Sequence, residues 1–357
     1  MNPWRVPLRI PALLALLAPL AGCGKDPTGA TAPPPPTYDY YVDAATGLDG
    51  NPGTAASPFK TISHAVAAAG TGKSIAIAPG NYGTANGDNL PIVLRAGQTL
   101  VGDVANRGNG PTPTRIRGDG PTPGVTGYSS TFVGADGASL RGLLIGSANT
   151  LFHYALYVGD AAVTVADCTF DTLTYGGVYL RGTGASLFSN DVFNTNSYGV
   201  HLIDAPDTTI IEHCQFNTPS LPIDVAATSI TRAIVRSNRI VGSGQVGIQV
   251  QSGEVWIEDN VFDKPGGYAT NGAVRCQNAE ATPIVRRNSF TCARGIGIVN
   301  GLPDLGSAGS PGSNLFTGVT GAAVHHGGGG AITAIGNTWQ HTPPTEGADI
   351  VLAGMGS

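Results

Sequence analysis

The sequence predicts an all-β fold: a right-handed single-stranded parallel β-helix, a solenoid, with a short N-terminal capping helix. Three observations predict it. A short strand-turn-strand pattern recurs along the chain, a further short strand follows each recurrence, and the segment ahead of the repeats carries one helical apolar face. Self-similarity at a period of 20–50 residues implies stacked repeats, because no single repeat can bury a core alone.

The recurring pattern is clearest at Val255–Asp263, VWIEDNVFD. Variants are VTVADCTFD, ASLFSNDVFN, TIIEHCQFN, AIVRSNRIV, PIVRRNSFT and AITAIGNTWQ. A polar slot falls at Cys168, Asn190, Cys214, Asn238, Asn260, Asn288, Asn314 and Asn337, with Leu143 there in an earlier coil. Two residues on, the chain is apolar each time, as at Phe170, Val192, Phe216, Phe262 and Trp339. A buried Asn can stack amide to amide on the Asn of the next coil with its hydrogen bonds satisfied. The further strand reads ALYV, GVYL, GVHL, PIDV, GIQV, AVRC, GIGI and AVHH, alternating as a strand with one buried face does.

Composition agrees. The chain has 357 residues, 52 of them Gly, and 12% charged residues. Many tight turns and a low charge density exclude a disordered chain beyond the first 37 residues. Residues 1–22 read as an export signal, with Arg5 and Arg9 ahead of the apolar run Ile10–Leu20, too short to span a membrane. Removing them leaves 17 basic against 24 acidic residues, a net charge of −7. Nucleic acid is therefore not an expected partner, and a monomer is expected. Residues 23–37 form a Pro-rich tether, residues 38–120 a cap with the first coils, and residues 121–357 the β-helix repeats. Cys276 and Cys292 sit near successive coils; free buried thiols are expected, a disulfide being the alternative.

Two resemblances extend this reading. Leu20-Ala21-Gly22-Cys23 resembles a bacterial lipobox, which implies a lipid on Cys23. Gly24 follows where an Asp would imply inner-membrane retention, so the resemblance favours the outer membrane. The run from Tyr41-Val42 through Asn51-Pro52-Gly53-Thr54, Pro58-Phe59-Lys60-Thr61-Ile62 and Pro79-Gly80 resembles the opening of exported bacterial β-helix proteins of the pectin-lyase-like class. Asn86–Asp103 looks like the lipoprotein-associated domain of unknown function in that class. The architecture hosts lyases, hydrolases, adhesins and other surface proteins, so the resemblance implies fold more than activity.

In this opening module Ser57 is the expected N-cap and Pro58 the expected first helical residue. Phe59, Ile62, Val66 and Ala69 would then share a face covering the first coil. Asp43, Asp49 and Asn51 offer oxygens to calcium, but fewer than the ion needs, and the same residues make turns. No other cofactor is expected.

The outward positions of the further strand are Tyr157, Tyr179, His201, Asp224, Gln249, Arg275, Gly297 and His325. Arg181, Asp204, Gln251, Gln277 and Asn300 flank them. Tyr rings and amides suit a glycan, with flat apolar faces and hydrogen-bonding edges; the plainer reading is an ordinary polar solvent face. Tyr157, Arg181, Asp204, Gln249, Gln251 and Gln277 are the candidate ligand contacts. If there is chemistry, Asp224 would orient His201 as base, Tyr179 would give a proton and Arg275 would hold a substrate carboxylate, a β-elimination on a uronate polymer. A hydrolase would need two facing carboxylates, with Asp204 and Asp224 the candidates. Adjacent Asp-Asp, Gly-His-Gly and Gly-x-Ser-x-Gly motifs are absent. His325-His326 should point to opposite faces, and His153, His213 and His341 read as lone solvated residues. Three functions remain: a surface lipoprotein that binds polysaccharide without cleaving it, a polysaccharide lyase or glycoside hydrolase, and an adhesin or structural protein. Finally, Glu212, Arg236, Glu258 and Arg286, two residues before the slot, predict an exposed column of alternating charge.

Overall fold

The computed structural model describes residues 36–147, 152–218, 220–226, 232–242, 244–328 and 330–352. The signal region, Cys23 and the tether to residue 35 lie outside the described residues. From Tyr38 on, the chain forms one unit.

Three parallel sheets of 10, 10 and 12 strands run the length of that unit. From Ser74 to Ile298 each coil contributes one strand to each sheet. In the coil of VWIEDNVFD these are Glu254–Glu258, Val261–Asp263 and Val274–Cys276. Such parallel crossovers are right-handed. Gly120–Pro121 makes the one antiparallel pairing among the described strands.

The sharp turn between the first two strands explains the slot. The residue before it takes positive φ in coil after coil: Gly142, Asp167, Asn190, His213, Ser237, Asp259, Arg287, Ser313 and Gly336. The left-handed residue turns the chain sharply, and the next side chain drops inside. Asn and Asp tolerate that conformation best after Gly. This corrects the reading of one coil. Asn190 (φ 57) occupies the turn, so the slot there is Asp191, and Phe193 rather than Val192 is the apolar residue two further on.

From Asn238 to Asn337 the slot is a continuous amide ladder. The backbone N–H and Nδ2 of Asn238 both donate to Asn260 Oδ1 at 3.0 Å, and Asn260, Asn288 and Asn314 repeat the arrangement. Each second Nδ2 proton goes to a backbone carbonyl of the preceding coil, as from Asn238 to Ile211 and from Asn260 to Val235. Next to the slots, Phe170, Phe193 and Phe216 stack at 4.6 and 4.7 Å, and Phe262, Phe290, Phe316 and Trp339 at 4.8, 4.9 and 5.1 Å. The four cysteines among the described residues, Cys168, Cys214, Cys276 and Cys292, are buried and free.

The helix spans Ile62–Ala69, and its N-cap is Thr61, whose hydroxyl accepts from the His64 N–H. Ser57 does not start it. Ser57 closes a turn on Thr54, and Phe59 pairs its backbone with the first strand, which keeps 57–60 extended. Asp49 accepts from the N–H groups of Lys60 and Thr61 and from the Thr61 hydroxyl, fixing the helix start. Ile62, Ala65, Val66 and Ala69 are buried against the first coil. Asp43 turns back onto Ala45 and Thr46, and Asn51 Nδ2 donates to the Pro58 carbonyl.

The four charged residues stand in one register column, Glu212 beside Arg236, then Glu258, then Arg286. Arg236 pairs with Glu212 at 2.6 Å. Beyond it the expected ladder breaks. Glu258 takes Arg287, and Arg286 is buried, turned to Asp304 and the Val285 carbonyl. The loop carrying Asp304 pairs with Ile284 and folds over the end of the column.

Candidate functional site

The outer face of the third sheet holds the site. Tyr157, Tyr179, His201, Asp224, Gln249, Arg275, Gly297 and His325 are register partners on eight successive strands. Their neighbours Val178, Leu180, Val200 and Leu202 are fully buried in the core, so the column points outward. It is not a bare polar face, however. Tyr179 is 9% exposed and Asp224 3% exposed.

What covers it is a second set of outward residues. Tyr154 pairs with Gly176, and Gly176 with Tyr198. The Tyr154 ring lies across Gly176, where any Cβ would sit 2.3 Å from a ring carbon. Passing over that glycine, its hydroxyl reaches His201 Nδ1 at 2.8 Å. Tyr198 stacks on the His201 ring at 4.6 Å and 9°. Tyr128 stacks on Tyr179 at 5.9 Å and 10°, and Tyr175 meets both Tyr154 and Tyr198 edge-on. Tyr157 stacks on Tyr179 at 5.7 Å. Phe152, half exposed, rims the cluster against Tyr128 and Tyr175.

Below this aromatic cover the polar groups are satisfied. His201 Nε2 lies 3.4 Å from Asp224 Oδ2. Gln249 and Gln251 both donate to Asp224 Oδ1, at 3.1 and 3.2 Å. Burial lowers the His201 pKa to about 4, so the ring is neutral at pH 7. Burial raises Asp224, with the two Gln side chains opposing it. A neutral ring with its Nε2 proton toward Asp224 leaves Nδ1 to accept the Tyr154 hydroxyl. Tyr179 meets His201 edge-on at 5.4 Å, so the hydroxyl at the imidazole is that of Tyr154.

Beyond Asp224 the cover ends and the face opens into a groove of ≈ 330 Å³. Tyr175 and Tyr198 form one wall, and Gln245, Gln249, Asn271 and Arg275 furnish the polar lining. Arg275 brings the only formal charge among the lining residues, and its Nε is buried without a partner among the described residues. Gln277 follows the strand Val274–Cys276, half-buried and outside the groove lining. Arg181 pairs in register with Ile203 at the far end of the strands, and Asp204 takes a left-handed turn (φ 50) just beyond, away from the groove lining.

Sequence reasoning missed Tyr128, Tyr154, Tyr175 and Tyr198. The signal was present in part: Tyr154, Gly176 and Tyr198 stand three residues before Tyr157, Tyr179 and His201. His153 was expected in solvent but is fully buried, 3.2 Å from the Thr131 hydroxyl and 3.3 Å from that of Ser129. His341 lies 2.9 Å from Asp349 rather than alone, while His213 is exposed. Among the described residues no group of His, Cys, Asp and Glu is arranged to hold a metal.

Residues 45–346 match a family described as "Protein of unknown function (DUF1565)". No curated protein matches the sequence. Among solved structures, a pectin methylesterase from Aspergillus niger is similar with a TM-score of 0.51 at 18% identity, over 78% of this chain and 88% of that one. Pectin methylesterase PemA from Erwinia chrysanthemi gives 0.46 at 15%, over 74% and 82%. A GH136 lacto-N-biosidase from Eubacterium ramulus gives 0.40 at 12%, over 84% and 62%. At such identities the likeness bears on the fold alone.

Proposed function

The chain belongs to the DUF1565 family, described as of unknown function, and from that premise we propose that it binds polysaccharide on the third sheet without cleaving it. The carrying observation is the groove walled by Tyr175 and Tyr198 and floored by amides and one arginine. Part-exposed Tyr rings give sugar faces an apolar platform, and Gln245, Gln249 and Asn271 give their hydroxyls partners. Arg275, unopposed by any acid in the lining, favours a polymer carrying carboxylates, such as a uronate chain. Binding rather than cleavage is supported by His201: one ring nitrogen meets Tyr154, the other faces Asp224, and Tyr198, stacked on the ring, lines the groove where His201 does not. A general base must reach the proton it takes. In this reading Cys23 carries the lipid that holds the protein on the cell envelope, at the outer membrane, with the Pro-rich tether as spacer.

The test is affinity electrophoresis of the wild type in gels containing polygalacturonate, with Arg275→Ala and Tyr198→Ala beside it. The wild type should be retarded, and both variants should run nearly free. Equal retardation of all three would reject the groove, and release of unsaturated uronate during the run would reject binding without cleavage.

A further inference from the structure

The first sheet carries an outward column of a different kind. Leu187, Ile210, Ile234, Trp256 and Ile284 are register partners on successive strands, alternating with the core residues Phe188, Ile211, Val235, Ile257 and Val285. The aliphatic members are half-buried, whereas Trp256 is 41% exposed. An indole left in water at mid-strand forgoes the burial that its neighbours obtain.

Trp256 stands between two depressions and lines both. One, of ≈ 240 Å³, is bounded by Thr208, Arg232, Ile234 and Glu254. The other, of ≈ 520 Å³, is bounded by Glu258, Arg287, Asp304, Ser310 and Ser313. The charges in both come as opposed partners. Arg232 and Glu254 face each other in register. Arg287 lies 2.8 Å from Asp259 and 3.2 Å from Glu258, and Arg286 pairs with Asp304. The lining thus offers hydrogen-bonding edges without a net field, unlike the groove around Arg275. A protein interface would need a wider apolar core than this single-residue column, in which Trp256 alone is exposed and the aliphatic members are half-buried. A flat ring between balanced polar depressions matches a neutral sugar, whose apolar face stacks while its hydroxyls take the edges.

We propose that Trp256 and the depressions on either side of it form a second glycan site, specific for an uncharged polysaccharide running along the solenoid axis. The site is independent of the groove on the third sheet and uses none of its residues.

The test uses the full chain and a panel of neutral polymers, namely soluble starch, galactomannan, xyloglucan and β-1,3-glucan. Indole emission is followed on titration and mobility is followed in gels containing each polymer. Trp339, half-buried and stacked on Phe316, should respond little. At least one polymer should shift the emission and retard the protein. Trp256→Ala should weaken that binding about tenfold or more, Trp256→Tyr should keep most of it, and Arg275→Ala should leave it unchanged. No response to any of the four polymers would overturn the proposal, as would undiminished binding by Trp256→Ala. So would a concentration-dependent dimer that Trp256→Ala dissolves, which would make this face a contact between copies of the chain.

Discussion

Replacing Asp191 by Asn should stabilise the protein. Asp191 occupies the slot that Asn fills five times further on, and it is 1% exposed. Its Oδ1 accepts the Cys168 N–H at 2.8 Å, but its Oδ2 is buried with no partner among the described residues. In the ladder the equivalent atom is Nδ2, which donates to the carbonyl three residues before the slot of the preceding coil. By that register the amide of Asp191→Asn would meet the Val165 carbonyl. Removing a buried unsatisfied polar atom is worth about 1–3 kcal/mol, and the new hydrogen bond adds about 1. We expect a gain of at least about 2 kcal/mol at pH 7.

The pH dependence identifies the cause. Burial raises the Asp191 pKa well above its ordinary value. The stability associated with a raised carboxyl is fully present below its unfolded pKa of 3.8 and is lost as pH rises toward the folded value. The advantage of Asp191→Asn should therefore be small near pH 4, where a protonated Oδ2 can itself donate, and should grow toward neutrality. Urea melts of both proteins between pH 4 and 8 measure it. A variant less stable than wild type at pH 7, or a gap that does not change with pH, would refute the reasoning.

Two further outcomes are expected. Burial lowers both His153 and His201 to about 4, so each contributes stability present above the unfolded pKa of 6.5 and lost as pH falls toward 4, up to about 3 kcal/mol apiece. Acid melts of His153→Gln should show a shallower loss than wild type across that window, and an unchanged slope would exclude His153 as a source. Arg236→Ala removes an exposed pair with Glu212 and should cost no more than about 1 kcal/mol. Arg236→Glu sets an acid between Glu212 and Glu258 and should melt lower still at low salt, the difference shrinking as salt is added.

The coil was legible in the sequence because its turn is chemically demanding. A left-handed residue followed by an inward amide recurs from Ser237-Asn238 to Gly336-Asn337, and two positions on stands Ile240 and then an aromatic each time, Phe262, Phe290, Phe316 and Trp339. At Ser189-Asn190-Asp191 two residue types each suited both positions, and Asn went to the strained one. The helix start was misplaced because Ser57-Pro58 carries a cap signal of its own, while pairing of Phe59 with the first strand decides the matter through contacts distant in sequence. The outward column of the third sheet followed from alternation alone. Its cover did not, because Tyr154 reaches His201 across a whole strand, and only the missing side chain at Gly176 permits it.

Calorimetric titration with oligogalacturonide, followed on the same sample by an assay for new chain ends, tests the central claim most directly. Saturable binding should appear in the wild type, disappear in Tyr198→Ala and Arg275→Ala, and leave the number of chain ends unchanged. Absence of saturable binding, or its persistence in both variants, would contradict the groove, and new chain ends that vanish in His201→Ala would show that the protein cuts what it holds.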